Sequence, residues 1–279
     1  MSGLLPPMLV NGQATSTVSA CDRGLLYGDG VFETIAVADG KVQLWELHMA
    51  RLQLGCQRLG MAPVDSGMLA AEAAALCRHV TRAVVKIIIT RGAGGRGYRP
   101  SASATQTRIV QLYPWPDYPE RFAREGIRLR ICTMRMGHNT ALAGIKHLNR
   151  LEQVLARAEW DDEEIPEGLL LDQQGLLVEG TMSNIFLVCG KKLVTPDLTQ
   201  CGVAGVMRAT VIELAAGAGI SAELRSIPLE ELYQAQEVFV CNSLIGIWPV
   251  SCIGNRSITT GNVTRQLQGL LLIQSEARG

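Results

Sequence analysis

The sequence predicts an α+β protein with a small N-terminal domain and a larger C-terminal one, and three observations support this fold class. The 279 residues are 47% hydrophobic and 19% charged, which allows a sizeable core in each domain. Short apolar runs typical of strands alternate with segments of helical period along the chain. Residues 113–119, YPWPDYP, hold three prolines in seven positions and favour an extended connection. We therefore place a small α/β domain at residues 1–113, a linker at 114–120 and the larger domain at 121–279.

The N-terminal domain is predicted to mix strands with two helices. Asp39-Gly40 is a hairpin turn signal, and the apolar spacing after it indicates an amphipathic helix followed by an alanine-rich one. The apolar run VVKIIIT is the clearest strand in the chain. The expected strands are 8–11, 31–37, 42–45, 84–90 and 107–112, and the expected helices are 44–59 and 67–79.

The C-terminal domain is predicted to consist of a strand, a loop that carries Lys146, and then helices and hairpins. Gln173-Gln174-Gly175 and Cys189-Gly190-Lys191-Lys192 each separate two short apolar runs, as hairpin tips do. The expected strands are 127–134, 169–172, 176–178, 185–188 and 193–195, and the expected helices are 149–160, 204–218 and 263–276.

The composition argues against several classes of partner and site. A formal net charge of zero and a pI near 6.9 give no electrostatic reason to expect nucleic acid or an anionic membrane. No apolar run reaches the roughly 20 residues of a membrane span, and the first residues lack the basic and apolar regions of a signal peptide. Eight scattered cysteines without a C-x-x-C pair predict neither a zinc site nor a disulfide scaffold, so we expect a reduced cytoplasmic enzyme.

Among five lysines, Lys146 has the surroundings of a reactive amine. Lys41, Lys191 and Lys192 occupy turn positions, and Lys86 lies within a predicted strand. Lys146 stands in ALAGIKHLN, among small and apolar residues just before a helix. Loss of solvation there would lower its pKa and leave a nucleophilic amine. A lysine in a surface ion pair at a helix start fits this local context equally well.

Two further segments have the form of ligand-binding turns. Glu179 ends a short apolar strand and is followed by a polar insert, Gly-Thr-Met-Ser-Asn, before the next strand. The turn QCGVAGVMR at 200–208 places glycines directly before a helix, where backbone N–H groups can bind an anion such as a phosphate. Taken singly, an ordinary strand-end charge and an ordinary loop-to-helix turn are the commoner interpretations.

Two familiar motifs are rejected. GAGGRG at 92–97 fits G-x-G-x-x-G, but a dinucleotide fingerprint opens a helix, and here the chain continues through YRPSAS into a strand. We interpret the segment as a loop whose Arg96 and Tyr98 bind a substrate carboxylate. A serine hydrolase and a zinc peptidase are excluded by the lack of G-x-S-x-G and H-E-x-x-H.

Taken together, the motifs resemble the fold-type IV, or class IV aminotransferase-like, enzymes that use pyridoxal 5′-phosphate. The resemblance runs from Val10 to about Val250 and keeps the family's order of motifs. It implies the two-domain fold of the D-amino-acid aminotransferases and a homodimer. The motifs that carry it are CDRGLLYGDGVFET at 21–34, WELHMARL at 45–52, IKHLN at 145–149, EGTMSN at 179–184 and GVAGVMR at 202–208.

The resemblance also implies a role for individual residues. Lys146 would hold pyridoxal 5′-phosphate as a Schiff base, and Glu179 would pair with the pyridine nitrogen and keep it protonated. The phosphate would be bound by Arg51, the backbone of Val206 and Met207, and Ser243. Thr34 would assist Lys146 in catalysis, whereas Arg96, Tyr98 and Asn242 would bind substrate; no metal is implied.

Within the family, IKHLNRLEQVLAR differs from the K-x-G-G-N-Y pattern of branched-chain aminotransferases and is most similar to the aminodeoxychorismate lyases. The D-amino-acid aminotransferases carry tyrosine where this chain has Phe32 and histidine where it has Tyr98, so their carboxylate trap is not reproduced. The resemblance thus implies a small-molecule substrate, 4-amino-4-deoxychorismate, cleaved to pyruvate and 4-aminobenzoate for folate synthesis. A D-amino-acid or branched-chain aminotransferase, or a non-catalytic protein that binds the cofactor, is the alternative.

Overall fold

The computed structural model describes residues 6–101 and 104–278, and it confirms the predicted α+β class. The chain forms two compact units. Unit 1 runs to Pro116 and also includes Ile145–Asn149. Unit 2 comprises Asp117–Gly144 and Arg150–Gly279.

Unit 1 is a five-stranded sheet with three helices. The strand order is β1-β5-β4-β2-β3, and each neighbouring pair is antiparallel. The elements are β1 (Met8–Val10), α1 (Arg23–Tyr27), β2 (Gly30–Ala38), β3 (Lys41–Val42), α2 (Trp45–Arg58), α3 (Ser66–Cys77), β4 (Arg82–Thr90) and β5 (Thr107–Pro114).

The predicted hairpin at Asp39-Gly40 is confirmed, and its strand is shorter than expected. Both residues have positive φ, 51° and 73°, as a two-residue turn between twisted antiparallel strands requires. The predicted strand 42–45 ends at Val42 because Leu44 takes a φ of 52° and α2 begins at Trp45. The predicted helices 44–59 and 67–79 are α2 and α3.

One face of the unit 1 sheet is covered by α2 and α3. Met49, Leu52 and Cys56 of α2 pack with Val31 and Ile35 of β2. The Asp65 side chain caps the start of α3 by accepting from Met68 N at 2.9 Å. This packing leaves alternate residues of β2 directed to opposite faces of the sheet.

Unit 2 contains nine strands and five helices. Eight strands follow the order β11-β10-β9-β12-β13-β6-β7-β8, and β14 pairs with β13. The elements are α4 (Arg121–Glu125), β6 (Ile127–Met136), α5 (Leu151–Arg157), β7 (Glu167–Asp172), β8 (Leu177–Gly180), β9 (Asn184–Cys189), β10 (Lys192–Pro196), α6 (Val206–Gly217), β11 (Ser221–Arg225), α7 (Leu229–Gln234), β12 (Glu237–Asn242), β13 (Gly246–Ile253), β14 (Arg256–Ser257) and α8 (Asn262–Arg278).

The two predicted hairpins of unit 2 are confirmed as β7–β8 and β9–β10, both antiparallel. The predicted helix 149–160 is shorter, α5, and the later helices match α6 and α8. Phe186 of β9 and Phe239 of β12 stack with ring centroids 5.0 Å apart in the interior of the sheet. Over the described ranges, no helix has both the length and the apolarity of a membrane span.

The two units differ from the predicted domains at residues 145–149. Residues 145–149 were assigned to the C-terminal domain, yet they group with unit 1. The reason is backbone pairing with β2: Phe32 N donates to Lys146 O at 2.9 Å, and Leu148 N donates to Gly30 O at 3.0 Å.

Candidate active site

Lys146 is held by an extended segment against the start of β2. An isolated antiparallel bridge joins Val31 and His147, and the neighbouring Ile145 is completely buried. The Lys146 Nζ lies 4.5 Å from the centroid of the Phe32 ring. Backbone pairing and ring contact together place the half-buried Lys146 beside β2.

Lys86, which the sequence did not single out, lies on the same sheet face as Phe32. Its partner across the β2–β4 ladder is Thr34, so the two side chains point to one face. The Lys86 Nζ is 5.4 Å from the Phe32 centroid, and burial lowers the pKa of this lysine. Two amines therefore flank one aromatic ring, with Thr34 on the same face. A lysine inside an apolar strand was the available signal, but the pairing with Thr34 could not be read from the sequence.

The opposite face of β2 carries a buried ionic cluster around Glu33. Arg51 donates from Nε to Glu33 Oε1 at 2.8 Å and from Nη2 to Oε2 at 2.5 Å, and His48 Nδ1 lies 2.7 Å from Oε2. Burial alone would raise the pKa of Glu33, but Arg51 and His48 hold that pKa below its ordinary value. Burial lowers the pKa of His48, which favours a neutral ring. Glu33 thus orients the Arg51 guanidinium, whose role as a phosphate ligand stays a prediction.

The glycine-rich segment is a loop between β4 and β5, as predicted, and Arg23 fixes its conformation. The Arg23 side chain is 4% exposed and donates to Gly97 O and Tyr98 O, each at 2.9 Å. Its Nε donates to Asp29 at 2.8 Å, and its guanidinium lies 4.8 Å from the Tyr27 ring centroid. The loop presents Tyr98, 85% exposed, and an exposed Arg96 from this rigid base. Sequence reasoning did not select Arg23.

In unit 2, Glu179 of β8 is a buried carboxylate stabilised by two donors. It is 4% exposed; Val203 N donates to Oε2 at 2.8 Å, and Gln153 Nε2 donates to Oε1 at 3.3 Å. Hydrogen bonds to the charged form stabilise the anion. A carboxylate held in this way suits a protonated ring nitrogen. Gln153 of α5 was missed because its contact with β8 depends on tertiary packing.

The turn before α6 has the features of an anion site. Gly205 caps the helix, and a Cβ there would lie 2.0 Å from the Asn184 Oδ1. Asn184 in turn donates from Nδ2 to Val203 O at 2.9 Å and holds the turn. Val206 and Met207 begin α6, where the first backbone N–H groups have no acceptor within the helix. These groups and the positive end of a 12-residue helix fit a phosphate.

Asn242 is the last residue of β12, and Ser243 follows it. The Asn242 Nδ2 donates to Met182 O at 3.1 Å, and its Oδ1 accepts from Leu244 N at 2.8 Å and Ile245 N at 3.0 Å. The amide therefore connects the polar insert after Glu179 to the turn that contains Ser243. The structure brings together Lys146, Phe32, Thr34 and Lys86 in unit 1. In unit 2 it links Glu179 to the Gly205 turn and Asn242 to the polar insert.

Comparisons with known proteins find relatives that cover almost the whole chain. The family model for class IV amino-transferases matches residues 30–253. An aminodeoxychorismate lyase of Vibrio harveyi is 38% identical over 94% of this chain and 98% of its own length. The crystal structure of 4-amino-4-deoxychorismate lyase from Pseudomonas aeruginosa has a TM-score of 0.91 and 49% identity, covering 95% of this chain and 97% of that one. A putative branched-chain-amino-acid aminotransferase of Methanocaldococcus jannaschii is 33% identical over 90% of this chain and 88% of its own.

Proposed function

The chain belongs to the class IV amino-transferase family, and from this premise we propose that it is a pyridoxal-phosphate-dependent lyase acting on 4-amino-4-deoxychorismate. The observation that carries the proposal is the similarity, over almost the full chain, to two lyases at 38% and 49% identity. The aminotransferase relatives from Methanocaldococcus jannaschii and Escherichia coli are 33% and 26% identical to this chain. The reaction needs no co-substrate, since 4-aminobenzoate and pyruvate together contain all the atoms of the substrate.

Pyridoxal 5′-phosphate is the cofactor of this family, and the chain carries residues whose chemistry fits it. Glu179, a buried carboxylate, suits the pyridine nitrogen, and the start of α6 at Val206 and Met207 suits the phosphate. Arg51 and Ser243 are proposed as further phosphate ligands. The cofactor, when bound, supplies an electron sink for the carbon next to the substrate amine.

We assign the acid–base work to Lys146. With substrate bound at the cofactor, the free Nζ of Lys146 would take the proton from substrate C4, and Thr34 would assist this transfer. The C3–O bond then breaks, the enolpyruvyl group leaves and takes up a proton to become pyruvate, and the ring becomes aromatic. The contact with Phe32 places the amine on one side of β2, and an amine positioned before reaction lowers the entropic cost of proton transfer.

The substrate carries two carboxylates, and three residues are proposed to bind it. Arg96 offers a two-pronged donor, and Tyr98 adjoins it on the loop that Arg23 holds. Asn242 is the third, from unit 2. Lys86 is a further cation for a carboxylate, because burial beside Phe32 leaves its amine poorly solvated until an anion pairs with it.

The assay that tests the proposal follows pyruvate from 4-amino-4-deoxychorismate with the purified holoenzyme. We expect the Lys146→Ala protein to lose pyruvate release and the visible absorbance of lysine-bound cofactor. Lys192→Ala, an exposed lysine at a hairpin tip, should match the wild type. Pyruvate release by Lys146→Ala, or none by the wild type, would contradict the assignment.

An aminotransferase is the second candidate function. It is favoured by the 33% identity to the Methanocaldococcus jannaschii protein and by a TM-score of 0.83 to the branched-chain aminotransferase of Escherichia coli at 26% identity. The same cofactor residues would serve it, with a proton returned to the cofactor carbon in place of elimination. Transfer of an amino group from D-alanine or L-leucine to 2-oxoglutarate, without pyruvate from aminodeoxychorismate, would select it.

A homodimer in the cytoplasm is also proposed. Exposed apolar side chains support the dimer: Leu25 and Leu26 of α1 are 71% and 50% exposed. Arg96 and Tyr98 are exposed, as expected of groups that reach the cofactor of a neighbouring subunit. All eight cysteines are free thiols, in keeping with a reducing compartment.

A further inference from the structure

We propose that Glu167 is a positioning residue for the cofactor and substrate site, acting through the turn at 181–183 on Asn242 and Ser243. The inference rests on the proposed function, which assigns those two residues to substrate and phosphate. Glu167 begins β7, pairs with Leu129 of β6 and is completely buried.

The carboxylate of Glu167 accepts five hydrogen bonds from neutral donors. Oε1 accepts from Gly168 N at 2.9 Å, Thr181 N at 2.8 Å and Thr181 Oγ1 at 2.6 Å. Oε2 accepts from Met182 N at 3.1 Å and Ser183 Oγ at 2.6 Å. Four of the five donors belong to three consecutive residues of the polar insert. One side chain therefore fixes the whole turn.

The turn packs closely against the carboxylate at Gly180. Gly180 N donates to Ser183 O at 2.7 Å, which closes the turn at its base. A Cβ at Gly180 would lie 2.6 Å from Glu167 Oε2 and 2.4 Å from Ser183 Oγ. Burial raises the pKa of Glu167, whereas five donors that need an acceptor favour its anion.

Met182 transmits the effect of Glu167 to the site. Its N–H is held by Glu167, and its carbonyl accepts from Asn242 Nδ2 at 3.1 Å. The other end of the Asn242 amide accepts from Leu244 N and Ile245 N, so it sets the turn that contains Ser243. Displacement of Met182 would loosen the Asn242 amide and with it the Ser243 hydroxyl.

Glu167→Gln is the informative variant because its expected defect is local. The amide oxygen can replace Oε1 and keep the bonds from Gly168 and Thr181. The NH₂ group then occupies the Oε2 position, where the Ser183 hydroxyl can rotate to accept. Only Met182 N–H is left facing another donor, and a buried donor without an acceptor is costly.

The test is a double-mutant cycle between Glu167→Gln and Asn242→Ala, read first as the Kd for pyridoxal phosphate in spectral titrations of apoprotein. We expect each single variant to raise Kd by about 10-fold. The Kd of the double variant should be less than about 3-fold above that of the weaker-binding single variant. KM for aminodeoxychorismate should show the same coupling. Independent effects, multiplying to about 100-fold, or an unchanged Kd in Glu167→Gln, would overturn the proposal.

Glu237→Gln is the matched control. Glu237 is another buried carboxylate of unit 2, and it accepts from Val263 N, Thr264 N and Thr264 Oγ1 at the start of α8. We expect this change to lower the melting temperature while Kd stays within about 2-fold and its effect remains independent of Asn242→Ala. A general loss of stability would instead affect cofactor binding in both variants.

Ser183→Ala keeps the proposal testable if Glu167→Gln does not fold, since it removes one donor and leaves the carboxylate in place. A Kd rise of about 3-fold, coupled to Asn242→Ala, is expected; no change, or independence, would contradict the inference. A protein that binds cofactor with these couplings but releases no pyruvate would overturn the proposed lyase and not the role of Glu167.

Discussion

At the scale of single residues, the candidates Lys146 and Glu179 each contact groups that lie on other elements. The surroundings of Lys146 were apparent from its apolar neighbours, whereas Phe32 beneath its amine is more than a hundred positions away. The polar insert after Glu179 was likewise visible. Gln153, Glu167 and Glu33 were not, because a buried polar group is recognised by its partners and these lie on other elements. Pairing across elements is decided by tertiary packing, which periodicity does not encode.

Gln153→Leu should weaken the function of Glu179 without abolishing cofactor binding. A hydrogen-bond donor to the Glu179 carboxylate is lost, so the pairing of this carboxylate with the ring nitrogen should weaken. We expect kcat for pyruvate release to fall by about 10-fold with KM little changed, since the lost interaction acts on the electron sink. Steady-state kinetics and the pH dependence of cofactor absorbance measure this.

Gln174→Leu is the control for that prediction, since Gln174 is an exposed glutamine at the β7–β8 hairpin tip. It should leave kcat and the absorbance unchanged. If Gln153→Leu shifted KM alone, or if both variants behaved alike, the assigned role of Gln153 would be wrong.

Glu33 predicts a dependence of stability on pH. Its pKa is lowered from 4.5 in the folded state, so the unfolded chain binds more protons as pH falls below about 4.5. The contribution of Glu33 is therefore complete above that value and is lost as pH falls through the folded pKa. Calorimetry between about pH 3 and 7 should show a melting temperature that falls steeply at the acid end.

Glu33→Gln should flatten the acid end of that profile. At neutral pH it should also cost about 3 kcal/mol of unfolding free energy, because Arg51 keeps a mostly buried charge without its counterion. Glu163→Gln, in the exposed loop after α5, should retain the wild-type profile. Parallel profiles for wild type and Glu33→Gln would show that the Glu33 pKa is not lowered by folding.

At the scale of secondary-structure elements, the sequence located the turns and helix ends whose conformation depends on adjacent residues. The Asp39-Gly40 and Gln173–Gly175 turns and the ends of α2, α3 and α6 depend on neighbouring residues, and their positions were close to those observed. The strands β12 and β13 were not predicted; they pair antiparallel with each other, and β13 also pairs in parallel with β6, where Val250 lies opposite Ile127. A pairing over such a separation leaves no trace in the local pattern.

In Arg23→Lys, the glycine-rich loop between β4 and β5 should become more mobile. Arg23 serves three acceptors in fixed directions, and an ammonium on a flexible stem cannot reproduce that arrangement. Because Arg96 and Tyr98 are proposed to bind substrate, KM should rise by about 10-fold with kcat within about 3-fold. Limited proteolysis within 92–98 should become faster. Arg78→Lys, an exposed arginine after α3, should change neither, and a fall in kcat at constant KM would contradict the loop's role.

At the scale of the whole molecule, the sequence predicted two unequal parts. It did not predict that residues 145–149 group with unit 1. The proline-rich stretch lies at the change from unit 1 to unit 2, at Pro116. Residues 145–149 group with unit 1 because their backbone completes the edge of β2 beside Gly30 and Phe32. The proposed cofactor lysine thus sits on the unit that is smaller in sequence, and no local feature of the chain indicates this.

We expect one exposed face of α5 to form the interface of the proposed dimer. Leu151, Val154 and Leu155 are 74%, 59% and 57% exposed, and their i, i+3, i+4 spacing places them on one face of the helix. An apolar stripe of this kind is typical of a covered surface.

Sedimentation should show the wild type at about twice 30.1 kDa, and Val154→Glu should shift it toward the monomer by burying a charge in the contact. Leu224→Glu makes a similar change at another exposed position, on β11, and should stay dimeric. A monomeric wild type, or dissociation by Leu224→Glu and not by Val154→Glu, would exclude this face of α5 as the interface.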